Sequence, residues 1–151
     1  MIHYRNDVRR SGVDGRALIA TARRLLSAIG ENGAALSLYL VGDGAIRELN
    51  REYRGRDSAT DVLSFPLDDS PGAGAHERLL GDVVISVDTA RRQADAYDAP
   101  LQREIYRLLI HGLLHLKGHD HMVAAQRQAM QREERRLADA IALPWPYARQ
   151  R

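Results

Sequence analysis

The amino-acid sequence predicts one domain that combines helices with strands. Its 151 residues suffice for a single domain with its own hydrophobic core. Three short apolar runs are typical of strands, and five other segments carry helical spacing or the residues that begin helices. No repeat or linker in the sequence divides the chain. Hydrophobic residues make up 44% and charged residues 28%, which excludes a disordered or fibrous chain.

The first third of the chain predicts a helix, a strand and a short second helix. Apolar residues recur at helical spacing across residues 14–30, and Gly30 suits the turn that ends a helix. Residues 35–41 place three leucines on one face of a predicted strand. Asp43 is predicted to cap the short helix that follows.

The middle of the chain predicts two further strands. Residues 54–60 are polar and turn-like, and residues 61–66 form a β-branched and aromatic run that ends at a proline. Residues 67–78 are rich in glycine, proline and aspartate, which predicts a mobile loop. Residues 81–87 predict the third strand, after which Asp88 is predicted to cap a helix.

Two long helices are predicted in the last third of the chain. Pro100 is predicted as the first residue of a helix that continues to Gly118. This helix is apolar on more than one side, so we expect it to be central. A last helix is predicted over residues 122–142, before a proline-rich end. Its inward residues are predicted to be Val123, Met130, Leu137 and Ile141.

Charge and composition narrow the classes of function. The chain has no cysteine, so disulfides and thiolate ligands are excluded and a transition metal must be bound by imidazole, carboxylate or water. The first residues reach charges at once, and no run approaches the roughly 18 apolar residues of a membrane span, so we expect a cytoplasmic protein. The net charge of +2 permits nucleic-acid binding without requiring it.

The chemistry-bearing pattern is a cluster of histidines between His111 and His121. Four of the six histidines lie in this segment. Residues four apart share one face of a helix, so His111 and His115 can converge on one metal ion. Gly118 is placed to end the helix in a left-handed conformation, which lets His121 supply a third nitrogen. Three protein ligands leave a coordination position open, which is typical of catalytic zinc sites.

The order His-x-x-x-His-x-x-Gly-x-x-His matches that of metzincin proteases, except that Gly112 stands where a glutamate is expected. In those peptidases the glutamate acts as the general base, so its absence disfavours peptide cleavage. We expect Gly112 to leave room beside the ion and to add no negative charge. These features favour an anionic substrate.

Three further residues have two interpretations each. His119 is expected to contact a ligand residue or solvent, although it can compete with His121 for the ion. Asp120 can orient a ligand imidazole or cap the last helix. Arg54 can bind a phosphate with paired donors, but its spacing alone favours a solvated arginine at a helix end. The alternative that His111 and His115 are ordinary histidines is disfavoured by their clustering.

Four segments together resemble the YbeY family of bacterial endoribonucleases that mature ribosomal RNA. These segments are residues 49–55, 60–66, 80–86 and 111–121. The histidine segment is the most specific of them. One difference is that His119 stands where the family commonly has an aromatic residue, often tyrosine.

The resemblance implies an α+β fold, with a mixed sheet of about four strands packed against about five helices. It implies one zinc ion bound by His111, His115 and His121, and it places Arg54 near the metal, so that Arg54 and His111 are the predicted catalytic residues. The implied activity is single-strand-specific RNA cleavage in the 3′-end maturation of 16S ribosomal RNA and in ribosome quality control. The implied partners are single-stranded RNA, the small ribosomal subunit and its assembly factors.

Two other functions stay open at this point. The first is a non-catalytic ribosome-assembly factor in which the metal fixes the turn at Gly118. The second, less favoured because of Gly112, is a metallopeptidase. The sequence also leaves open whether the nucleophile is a water activated at the metal or the RNA 2′-hydroxyl.

Overall fold

The computed structural model describes residues 1–67, 78–119 and 124–144, and these form four strands and five helices. In chain order the elements are β1 (Ile2–Asn6), α1 (Gly15–Ala28), β2 (Ala34–Val41), α2 (Asp43–Arg54), β3 (Val62–Pro66), β4 (Arg78–Ser86), α3 (Val87–Ala96), α4 (Leu101–Leu116) and α5 (Ala124–Ala140). The predicted strands and helices are all present among them. The start of α5 borders residues outside the described ranges. The predicted inward residue Val123 lies outside those ranges, as do residues 68–77 of the predicted mobile loop.

The four strands form one mixed sheet in the order β1-β2-β4-β3. β1 and β2 pair in parallel, β2 and β4 pair in parallel, and β3 pairs with β4 in the antiparallel direction. The α+β architecture that the resemblance implied is therefore confirmed. β3 lies at an edge of the sheet, so one side of its backbone faces away from the other strands.

The two faces of the sheet are covered unequally. The three leucines of β2 and the buried valine and isoleucine of β4 pack against α1, α4 and α5, in a core that also includes Met130 and Leu137. The other face carries a smaller cluster in which Ile46 of α2 packs on Val41, Leu63 and Val84. Successive side chains of β2 thus point alternately to a face covered by three helices and to a face covered only by α2 among the described elements.

α4 is the central helix, as predicted from its apolar residues on several sides. It packs against α3, α5, β3 and β4, and its buried residues include Ile105, Leu109 and Leu113. Pro100 is the residue just before this helix rather than its first residue, because its backbone is extended. Within the described residues, no helix combines the length and the apolar character needed to cross a bilayer.

Asp43 and Asp88 do not cap the helices that they were predicted to cap. Asp43 is the first residue of α2. Its backbone N–H donates a hydrogen bond, at 2.9 Å, to the carboxylate of Asp88 in α3. Ser86 is the residue that caps α3, through its side chain and the N–H of Thr89. Burial raises the pKa of Asp43, but hydrogen bonds from Ser86, Thr89 and Arg92 outweigh it and hold this pKa below its usual value. The two helix starts therefore stabilise each other across the fold.

β1 is the element that the sequence patterns did not predict. Only Ile2 and Tyr4 pack against the core, and both stay partly exposed. β1 completes the sheet by pairing with residues 36–40 of β2.

Candidate functional site

The predicted metal ligands His111 and His115 lie side by side near the end of α4. Their Nε2 atoms are 3.1 Å apart, and the two rings meet edge to face with centroids 4.6 Å apart. Two nitrogens bound to one tetrahedral ion at 2.0–2.1 Å are separated by roughly 3.4 Å. The two imidazoles thus already approach the separation that one shared ion requires, and they fit a zinc-type metal.

Gly118 ends α4 as predicted, with a positive φ of +89°. Its backbone N–H donates to the carbonyl of His115, and the N–H of His119 donates to the carbonyl of Leu114, each at 3.0 Å. This pair of bonds is the Schellman arrangement, which reverses the chain direction after a helix. His119 is partly exposed directly after the turn.

The third predicted ligand, His121, and its neighbour Asp120 lie outside the described residues. Among the residues that the structure describes, no group of three or more histidine or acidic side chains is arranged to hold a metal. The ligand set of His111, His115 and His121 therefore stays a prediction, of which the structure places the first two together.

A carboxylate that sequence reasoning missed faces the first histidine. Glu134 of α5 places Oε2 3.7 Å from Nδ1 of His111, on the side of the ring opposite Nε2, and the Glu134 side chain is only 13% exposed. A signal for it was present in the sequence. Glu134 lies four residues after Met130 and three before Leu137, so it shares the inward face of that helix.

Arg54 and the two histidines line the same cleft, which has a volume of about 530 Å³. Arg54 is the last residue of α2, and Gly55, with a φ of +69°, turns the chain there. The guanidinium Nη2 donates to the backbone carbonyl of Ser64 at 2.6 Å. The structure therefore brings Arg54 to the histidines, as the resemblance implied and as its position in the sequence alone did not.

Ser64 connects the two halves of this cleft. Its carbonyl accepts the hydrogen bond from Arg54, and its buried side-chain hydroxyl donates to the carbonyl of Gly112 at 2.9 Å. One residue of the edge strand β3 thus contacts both the guanidinium and the backbone between the histidines.

The remaining lining of the cleft favours an anion. Arg56 adds a second guanidinium, and Asp61 is the acidic residue among the described lining residues. The Asp61 carboxylate accepts hydrogen bonds from the N–H of Val62 at 2.8 Å and from the Gln93 amide at 3.3 Å. The lining therefore contains two guanidinium groups and one carboxylate, and the carboxylate oxygens already accept hydrogen bonds from the protein.

The expectation that Gly112 leaves room beside the ion was wrong. Gly112 is buried on the side of α4 that faces the sheet, where an added Cβ atom would lie 2.8 Å from Cγ1 of Val83 and 3.1 Å from Oγ of Ser64. The glycine allows close approach of the helix to the sheet. A glutamate at this position cannot reach the cleft without displacing β4, so the peptidase chemistry is disfavoured for a steric reason.

We expect Gly112→Ala to destabilise the protein by about 1–2 kcal/mol, because overpacking costs about 1–3 kcal/mol and the better helix propensity of alanine offsets part of it. The melting temperature should fall by roughly 2–8 °C. Gly44→Ala is the matched control, since an added Cβ atom on this helical glycine meets nothing within 4 Å. Equal melting temperatures for the two variants would refute the packing role of Gly112.

Comparison with known proteins agrees with this site. The family model described as Endoribonuclease YbeY matches residues 3–142. A relative of that name from Anaeromyxobacter sp. (strain Fw109-5) is 52% identical over 85% of this chain and 65% of its own length. Another from Syntrophotalea carbinolica is 41% identical over 89% of this chain and 90% of its own length. The chain thus spans about two thirds of the Anaeromyxobacter relative.

A solved structure supports the fold. A Thermotoga maritima protein, determined in solution, superposes with a TM-score of 0.58 over 94% of this chain and 92% of its own, at 21% identity. At this level of identity, the superposition supports the arrangement of strands and helices alone. Because the family model covers nearly the whole chain and named relatives reach 41% and 52% identity, the chain belongs to the YbeY family.

Proposed function

We propose that this chain is a zinc-dependent endoribonuclease that cuts single-stranded RNA. The observation that carries the proposal is the shared cleft, in which two histidines with Nε2 atoms 3.1 Å apart face the same space as Arg54. The names of the relatives, all endoribonucleases, support the same activity. The buried position of Gly112 disfavours the peptidase alternative.

The proposed zinc ligands are His111, His115 and His121. Bound zinc supplies Lewis acidity toward a phosphoryl oxygen. The chain's own contribution is to hold the imidazoles with Nε2 toward the cleft, which requires the other ring nitrogen of each histidine to carry the proton. Glu134 places its negative charge 3.7 Å from that nitrogen of His111, beyond hydrogen-bond distance, and this charge favours a proton there.

Arg54 is proposed to bind the scissile or a neighbouring phosphate. A guanidinium has five N–H donors in a planar fork that matches phosphate oxygens. The hydrogen bond to the Ser64 carbonyl uses one donor and fixes the plane of the fork. The remaining donors can stabilise the charge that grows on the phosphate during cleavage.

The proposed cellular role follows from family membership. It is 3′-end maturation of 16S ribosomal RNA and ribosome quality control in the cytoplasm, with the small ribosomal subunit and its assembly factors as partners. The net charge of +2 and the two arginines of the cleft are compatible with RNA as the substrate.

The activity is tested with a labelled single-stranded RNA and the same RNA annealed to its complement. We expect the purified protein to cut the single strand and to leave the duplex intact, since only an unpaired strand can bend into a cleft of this size. Preparations of wild type and His115→Ala are compared at equal protein concentration. Equal cleavage by both would assign the activity to a contaminating nuclease. No cleavage together with binding to the small subunit would favour the assembly-factor alternative.

Glu134→Gln is expected to weaken zinc binding about 10–100-fold, because it removes the carboxylate that orients the His111 imidazole. Zinc affinity is measured by competition with a chelator of known strength, independently of RNA cleavage. Glu133→Gln is the matched control, since the neighbouring Glu133 is paired with Arg136 and not with a histidine. If the two variants bind zinc with equal affinity, Glu134 does not position His111.

A further inference from the structure

The thinly covered face of the sheet holds a groove larger than the histidine cleft. Its volume is about 790 Å³, and all four strands and α2 contribute to it. α2 packs over Val41, Leu63 and Val84, at one end of this face. No other element of the described residues covers the rest of this face.

The strand register places the groove's floor in rows that cross the sheet. His3, Ser37, Asp82 and Phe65 pair successively from β1 to β3 and form one row. The adjacent row runs from Arg5 through Tyr39 to Val84 and Leu63. The floor thus contains both hydrogen-bonding groups and aromatic or apolar ones, which differs from the continuous apolar surface that a helix or a second sheet would need.

Three aromatic side chains project into this groove: Tyr39, Tyr53 and Phe65. Tyr53 is 62% exposed, so its ring is available to solvent, and it meets Phe65 edge to face with centroids 5.4 Å apart. Phe65 is the only phenylalanine of the chain. Folding alone does not require aromatic rings on an open face.

Two aromatic rings of the groove have an arginine over them, Arg5 from within the groove and Arg54 from beside it. The Arg5 guanidinium carbon lies 5.0 Å from the centre of the Tyr39 ring, and that of Arg54 lies 5.5 Å from the centre of the Phe65 ring. Arg5 is also paired with Asp7, which accepts a hydrogen bond from the Tyr39 hydroxyl. This bond raises the pKa of Tyr39, so the ring stays neutral and fixed in orientation.

The groove and the cleft are separate cavities, and the Arg54 side chain lies between them. The Arg54 side chain lines the cleft with His111, and it lies over Phe65, which lines the groove. A strand whose phosphate binds Arg54 therefore has the Phe65 and Tyr53 rings as its next neighbours.

We propose that the groove binds the unpaired bases that flank the cleavage site of a single-stranded RNA, by stacking on Tyr53, Phe65 and Tyr39. The proposal rests on the proposed endoribonuclease activity and extends it to substrate recognition. Aromatic rings accept any base, and stacked bases contribute strongly to single-strand binding. His3, Ser37 and Asp82 supply donors and acceptors for the edges of those bases.

The test uses a twelve-nucleotide RNA that carries 2-aminopurine, whose fluorescence falls on stacking. The probe is mixed with the metal-loaded protein in a stopped-flow instrument, and binding is read before cleavage. We expect Tyr53→Leu and Tyr39→Leu each to weaken binding about tenfold and to reduce the quenching. Tyr53→Phe keeps the ring and should behave as wild type, and Tyr39→Phe, which keeps the ring but loses the hydrogen bond to Asp7, should bind more tightly than Tyr39→Leu. A three-nucleotide RNA that reaches only the cleft should bind the wild type and all four variants with equal affinity.

Separate outcomes distinguish this proposal from the proposed function. If wild type cleaves the RNA but the leucine variants bind the long probe as wild type does, the groove proposal fails and the nuclease stands. If wild type neither binds nor cleaves RNA, the proposed function fails and the groove proposal fails with it. If wild type dimerises without RNA and the leucine variants are monomeric, the groove is an interface between copies and the proposal is overturned. Melting temperatures of the phenylalanine and leucine variants control for misfolding.

Discussion

His115→Ala is expected to reduce the bound zinc from about one ion per chain to a trace, and to slow RNA cleavage by about 10³-fold or more. Removing one of two nitrogens that lie 3.1 Å apart leaves the ion without its convergent pair. The Lewis acidity of a bound ion is worth several kcal/mol in the transition state, and each 1.4 kcal/mol corresponds to a factor of ten in rate. Elemental analysis and single-turnover cleavage measure the two effects.

His119→Ala is the control for this prediction, because His119 follows the helix-ending turn and is predicted not to be a ligand. It should keep the metal, whereas His111→Ala and His121→Ala should lose it. Loss of metal from His119→Ala with full occupancy in His121→Ala would reverse the ligand assignment. Circular dichroism should stay near wild type in each variant, since a chain of this length with an extensive buried core is expected to fold without the metal.

Arg54→Ala is expected to slow cleavage by about 10²–10³-fold at unchanged metal content, by analogy with the loss of one oxyanion-hole donor. Arg54→Lys keeps the charge but loses the planar fork, so it should recover only part of the rate. The melting temperature of Arg54→Ala should fall by only a few degrees, because the loss of the hydrogen bond to the Ser64 carbonyl costs about 1 kcal/mol. Single-turnover rates on metal-matched proteins provide the measurement.

Arg51→Ala provides the comparison for Arg54. Arg51 lies one turn earlier on the same helix and pairs with Glu48 at 2.6 Å, and it is not among the residues that line the cleft. Its replacement should leave the rate at wild type. Wild-type rates for both Arg54 variants would instead mean that Arg54 is a solvated residue at a helix end.

The helices and three of the four strands were predictable because their signals are local. The spacing of apolar residues in α1 and α4 and the alternation in β2 can be read from single segments. β1 offers only Ile2 and Tyr4, both partly exposed, and it becomes a strand because β2 provides its partner. The caps at Asp43 and Asp88 were misassigned because each carboxylate acts on a different helix from the one it precedes or begins.

At the candidate site too, local features were predictable and contacts between distant elements were not. The histidine pair follows from a spacing of four on one helix, and the turn at Gly118 follows from its glycine. The steric role of Gly112 depends on Val83, which comes from another element. Glu134 and Ser64 also enter the site by packing between distant segments. The spacing of Glu134 from Met130 and Leu137 places it on the inward face of its helix, but no local pattern identifies its contact with His111.

Ser64 sets the distance between the two chemical groups of the cleft. Its carbonyl accepts a hydrogen bond from the guanidinium and its hydroxyl donates one to the backbone of the histidine helix, so both walls of the cleft are bound to one residue of β3. The hydrogen bond to Ser64 also restricts the rotamer of the long Arg54 side chain. A phosphodiester that enters the proposed active site meets a guanidinium and two imidazoles that the protein has already positioned. The flexible RNA must therefore change its conformation more than the protein does.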